Sequence, residues 1–248
     1  MVQENTKEGY ALKVRVKFAK EGAMKFIGHL DIMRYFQKAV KRANLDVAFS
    51  EGFSPHMIMS FASPLGVGIT STGEYFDMEL KSATTSSDMV KRLNDAMAEG
   101  MKILSIRQVE DGKASKAMSL VAAADYRLKF RETAKLPENW KEKLEELFKA
   151  QKEIVILKKT KKSEKELDIR PFIYKLSLEE KDEIFMQLAA GSSNNTKPEL
   201  VMEAFAAFME ISYENLKFMI HRCELYADTG SDEERNLVSL EDLGEEIE

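Results

Sequence analysis

Two histidines and a row of cations stand close together between Lys25 and Gly68. His29 and His56 can each act as a general acid or base, or meet a phosphate, near neutral pH. Lys25, Arg34, Lys38 and Arg42 bring positive charge to the same stretch, which also holds Asp31, suited to the positive end of a helix dipole, and Ser54, biased to extended backbone by Pro55. Cations of this kind suit the phosphates of a nucleic acid or the charge of a phosphorane. A second pair, Asp168 and Arg170, stands at i and i+2. In a strand that spacing puts both on one face, where they can pair or meet a ligand. His221 falls inside an apolar-patterned strand and reads as structural. Ten residues therefore form the expected RNA- or partner-binding set: Lys25, His29, Asp31, Arg34, Lys38, Arg42, Ser54, His56, Asp168 and Arg170.

Other chemistries lack their residues. His29 and Asp31, two apart on a helix, point away from one another, so a facial metal triad with His56 is not expected. The one cysteine, Cys223, excludes an internal disulfide and a multi-cysteine zinc or iron–sulfur site. No cofactor is expected; any cluster chemistry has to come from a partner. Pro64-Leu-Gly-Val-Gly68 is glycine-rich but lacks the lysine and spacing of a P-loop.

The 248 residues suffice for two domains of ordinary size. The composition, 44% hydrophobic and 32% charged, is that of a globular chain with a core. No apolar run reaches membrane-spanning length, and MVQENTKEGY lacks the apolar centre of a signal peptide, so a cytoplasmic location is expected. The net charge of −5 is unevenly spread. Lys13–Arg42 holds nine Lys/Arg against two acids, and 228–248 holds nine acids against Arg235. An acidic chain can thus still present a basic surface to a polyanion.

The elements that position these residues follow from periodicity. Leu12–Phe18 alternates apolar and basic, predicting a strand with Lys13, Arg15 and Lys17 on an open face. Ile32, Met33, Phe36, Ala39, Val40 and Ala43 give the apolar stripe of a helix over 30–43, with the basic residues opposite. Strands at 57–61, 73–80 and 101–109 and a helix at 84–98 complete a β–α–β–β–α–β order. The order recurs as strands at 126–130, 153–159, 167–173, 183–188 and 218–226, with helices at 137–150 and 198–209. The predicted fold class is α+β: tandem ferredoxin-like (βαββαβ) units, antiparallel sheets with helices on one face. The predicted domains are 10–110 and 120–227, followed by an acidic mobile tail over 228–248. An RNA-recognition sheet would stack bases on exposed aromatics, but Val14, Val16 and Phe18 lie on the face expected to be buried.

Phe26-Ile-Gly-His-Leu-Asp-Ile-Met-Arg34, Phe49-Ser-Glu-Gly-Phe-Ser-Pro-His56, Ser60-Phe-Ala-Ser-Pro-Leu-Gly66 and Gly73-Glu-Tyr75 together resemble the radical SAM-linked protein family of bacteria. Leu167-Asp-Ile-Arg-Pro171 and Lys197-Pro-Glu-Leu-Val-Met-Glu-Ala-Phe205 are similar to later motifs of that family. Gly28 stands where the family usually has serine, and Met57 where it often has a second proline. The resemblance implies a protein encoded beside, or fused to, a radical SAM protein. The expected function is accordingly a non-catalytic accessory subunit that binds RNA, or presents an RNA or ribosomal substrate to a radical SAM partner supplying the cluster. Two other readings stand beside it: a metal-independent endoribonuclease using His29 and His56, and a pure protein–protein adaptor.

Overall fold

A computed structural model describes residues 11–112, 115–159, 164–192, 194–231 and 234–248. Residues 1–9, whose polar sequence predicts a frayed end, and the centre of the lysine-rich turn that the sequence predicts over 158–165 lie outside the described residues. The chain divides into two compact units, Met1–Val121 with Leu225–Glu248, and Ala122–Glu224. Both combine helices with mostly antiparallel strands.

The first unit begins with β1 (Leu12–Lys20), a 3-10 turn over Gly22–Phe26 and helix α1 (His29–Arg42). β2 (Met59–Phe61) and β3 (Thr70–Leu80) follow, then α2 (Ser86–Asp95) and β4 (Met101–Gln108). β1 lies between β4 and β3, antiparallel to both, and β2 pairs antiparallel with β3. α1 forms where the sequence predicts because its apolar positions recur with helical spacing. Ile32, Phe36, Ala39 and Val40 are buried, and Lys41 and Arg42 complement the negative end of the helix. α2 starts where the Thr85 side chain accepts the Asp88 N–H. Met24–Ile27, whose sequence allows the extended chain to continue, instead runs through the 3-10 turn as far as Phe26 and is extended only at Ile27.

Packed between α1 and the sheet are Phe18, Phe36, Phe61 and Phe76. Phe36 has ring centres 4.7 Å from Phe18 and 4.8 Å from Phe76. Val14, Val16 and Phe18 lie in this core, as their alternation predicts.

The opposite face of β1 corrects two expectations. It was to be open and basic, yet Lys13 and Arg15 are buried and Lys17 is largely covered. Gly112 and Ser115 cover Lys13, Ser115 and Leu240 cover Arg15, and Glu241 covers Lys17, so much of the cover is the C-terminal segment, expected to be a mobile tail from 228. That segment instead adds a short strand, turns through 3-10 geometry at Glu241–Leu243, and buries Leu240 completely. Glu241 meets Lys17 at 2.7 Å, and Glu245 bridges Gln108. Acidic residues are here the counter-charges of the cations beneath them.

The short helix α3 (Ala117–Leu120) closes the N-terminal part of the first unit and leads into β5 (Val121–Phe130), which opens the second unit and is followed by α4 (Trp140–Ala150) and the hairpin β6 (Val155–Lys159)–β7 (Glu164–Asp168). β8 (Ile173–Leu178), β9 (Ile184–Ala189), α5 (Pro198–Phe208) and β10 (Phe218–Asp228) complete it. The order of strands is β10-β5-β9-β8. The last residues of β10 belong to the first unit, where they pair with β11 (Leu237–Ser239). Among the described residues no helix is long and apolar enough to cross a membrane.

Candidate functional site

The entry to α1 is built by Lys20. Its ammonium is buried at the end of β1 and donates to the Ile27 carbonyl at 2.8 Å and to the Lys25 carbonyl at 3.4 Å. Those two carbonyls belong to the end of the 3-10 turn and its C-cap, so the buried charge fixes the chain just before Gly28, the N-cap of α1. Gly68 N–H donates to the Lys25 carbonyl at 2.8 Å and ties the loop of residues 62–69 to the same turn. His29, the first helical residue, is thereby half-buried with its ring edge-on to Phe61, centres 5.6 Å apart.

A narrow cleft opens at this point, about 260 Å³ including the solvent at its mouth. His29, Lys20, Glu74 and Ser63 supply its polar lining, and Phe18 and Phe61 are among its apolar walls. Lys20 and Glu74 were missed in the sequence. Each had a signal: Lys20 continues the parity of Val14, Val16 and Phe18, so a charge was due on a core face. Glu74 lies opposite Phe18 in the β1–β3 register.

Outside the cleft, α1 carries an exposed row. Asp31, Arg34, Lys38, Lys41 and Arg42 all face solvent. Arg34 pairs with Asp31 at 3.2 Å, and Arg42 donates to the Ala96 carbonyl at 3.0 Å. The Lys25 ammonium stands 5.2 Å from the ring centre of Phe26. Phe26, Leu30 and Val67 are exposed at 64%, 67% and 63%, an apolar group at the head of the basic row.

His56 sits elsewhere in the unit, on a loop closed by Ser50. The Ser50 hydroxyl accepts the His56 N–H at 3.1 Å and meets His56 Nδ1 at 2.8 Å, while Ser50 N–H donates to the His56 carbonyl at 2.8 Å. Phe49 and Met57 bridge the loop's neck, and Ser54 and Phe53 are exposed near its tip. Among the described residues no hydrogen bond or ring contact joins His29 to His56.

Asp168 and Arg170 do not form the pair their spacing suggested, because the chain leaves the strand between them. Asp168 Oδ1 accepts the N–H groups of Ile154 at 2.8 Å and Arg170 at 2.9 Å, and the Arg170 guanidinium lies 4.2 Å from the ring centre of Phe148. Both brace the second unit. Among the described residues no group of three or more His, Cys, Asp or Glu is placed to hold a metal ion.

Comparison with known proteins adds a family and a distant structural likeness. No curated protein matches the chain. A chain in the crystal structure of a Cbf5–Nop10–Gar1 complex is similar at a TM-score of 0.43 and 11% identity, over 86% of this chain and 48% of that one. This protein thus spans less than half of that chain's length. A family model described as an uncharacterized protein conserved in bacteria, DUF2344, matches residues 13–198. Since the match takes in most of the sequence, including α1, the cleft and the Ser50–His56 loop, the chain belongs to this bacterial family.

Proposed function

We propose that the protein is a non-catalytic accessory module that binds RNA and presents it, or a ribosomal substrate, to a radical SAM partner. The observation that carries this reading is the solvent-facing basic row of α1. Burial of Lys13 and Arg15 leaves Arg34, Lys38, Lys41 and Arg42 as the concentrated cations of the first unit's surface. Phosphate contacts use such residues and impose a salt dependence. The partner rests on the resemblance of the His29- and His56-containing motifs to the radical SAM-linked family. A two-histidine ribonuclease would need both imidazoles at one phosphate, whereas His29 lines the cleft against Phe61 and His56 is held by Ser50 in its own loop. Each unit's strand order, β4-β1-β3 with β2 beside β3 and β10-β5-β9-β8, supports reading the fold as tandem ferredoxin-like, with the β6–β7 hairpin inserted in the second copy.

The test is RNA binding across a salt series, with Arg34→Ala/Lys38→Ala alongside. Affinity should fall as salt rises, and the double variant should bind more weakly with a slope shallower by up to about two. Binding indifferent to salt, or to the double variant, sinks the RNA reading. Failure of a radical SAM protein to co-purify with the native chain removes the partner.

A further inference from the structure

The exposed face of α1 is not uniformly basic. Leu30, Arg34, Lys38 and Arg42 follow one another at i, i+4 and all face solvent. Such a row rises about 6 Å per step, a step comparable to successive phosphates of an extended strand. At its head the row stops being charged and becomes apolar: Leu30, the Phe26 ring with Lys25 beside it, and Val67 held against the same turn by the Gly68–Lys25 bond.

We infer that this face binds single-stranded rather than duplex RNA, its phosphates along Arg34, Lys38 and Arg42 and an unpaired base stacked on Phe26. The inference rests on the RNA-binding reading above and narrows it to a substrate class. Two features favour this occupant. Proteins that hold single strands combine a cationic track with an exposed aromatic that meets the face of a base. Duplex binding needs no exposed ring, because the bases are already stacked on one another. A protein partner fits less well: lysine is depleted from protein interfaces, and the apolar part is three side chains at one end of a charged row.

The experiment uses the full-length chain, a labelled 12-nucleotide single-stranded RNA and the same strand annealed to its complement. Phe26→Ala, Phe26→Trp and Lys38→Ala are compared with the parent. Phe26 is mostly exposed, so its variants keep the fold, and circular dichroism checks that they do. The inference expects tighter binding of the single strand than of the duplex. It expects a loss of roughly 5- to 100-fold in Phe26→Ala, with the salt slope unchanged and affinity retained in Phe26→Trp. Lys38→Ala should shift the slope instead. Duplex binding as tight as single-strand binding, or an indifferent Phe26→Ala, overturns this inference while leaving RNA binding standing. No salt-dependent RNA binding, or equal binding of a 12-residue polyglutamate with Phe26 irrelevant, overturns both readings.

Discussion

The Arg15 guanidinium spends three of its nitrogens inside the first unit. Nε and Nη2 clamp the Asp77 carboxylate at 2.8 and 3.3 Å; Nη1 donates to the Leu240 carbonyl at 3.0 Å and Nη2 to that of Ser115 at 2.9 Å. Asp77 Oδ2 also accepts the Ala117 N–H at 2.8 Å. Removing one member of a buried pair strands the other's charge, so Asp77→Ala should cost about 3–5 kcal/mol in urea unfolding. Arg15→Met/Asp77→Leu should recover part of that loss, because the guanidinium is no longer stranded, and only part, because Lys13, 3.9 Å from Asp77, loses its counter-charge in both variants. Cys223 gives a second residue-scale prediction. Burial, with Arg127 opposing it, pushes the thiol up to about 11. At pH 7.5 its thiolate is therefore scarce, and alkylation of the native protein should be on the order of 100-fold slower than for an ordinary cysteine of pKa about 8.5. Urea should restore the ordinary rate; equal rates with and without urea would show the thiol to be unperturbed.

The Phe36 ring fastens α1 to its sheet. Phe36 is fully buried and reaches Phe18, Phe61 and Phe76 within 5.8 Å of ring-centre separation. Phe36→Ala should destabilise the protein by about 3–5 kcal/mol, as a transfer loss plus an unfilled cavity. Phe36→Leu should cost clearly less; equal costs would mean the helix closes over the gap. Elements like α1 were legible because a helical stripe specifies both the element and the face it buries. The strand β1 was only half legible. Alternation at period two separates Val14, Val16 and Phe18 from Lys13, Arg15 and Lys17, but it cannot say whether another segment covers the polar set. The Asp168–Arg170 pair failed for a related reason: shared parity holds only while the chain stays extended, and a 3-10 turn begins at Arg170. Lys20 was overlooked because a lysine ending a strand looks like an edge residue until its ammonium is seen capping the carbonyls of the next turn.

On the scale of the molecule, the basic stretch from Lys13 to Arg42 is split by the fold. Its first part goes beneath Gly112, Ser115 and the C-terminal segment, and its last part stays on the surface of α1. Composition gave the charge of the 228–248 segment but not its destination, since its counter-charges lie more than 100 residues away in the chain. Glu241 carries the clearest consequence. Burial opposes its ionisation, but hydrogen bonds from Lys17 and Ser105, with the charges of Lys17 and Arg107, outweigh that and hold its carboxyl below the ordinary glutamate range. A carboxyl with a lowered folded pKa stabilises the fold fully above its unfolded value and loses that contribution as pH falls through the folded one. A chain ending after Ser239 lacks this group, along with the completely buried Leu240 and the two hydrogen bonds between Ser86 and Ile247, each 2.9 Å. Its thermal midpoint should therefore lie below that of the full chain at pH 7. The gap should hold steady down to about pH 4.3 and shrink below it as Glu241 takes up its proton. Leu240 and the backbone bonds do not titrate, so a residual gap should persist in acid. Thermal scans of both chains between pH 7 and pH 3 measure it, and a gap that stays flat or widens as pH falls contradicts the assignment of Glu241 as the charge that fastens this segment.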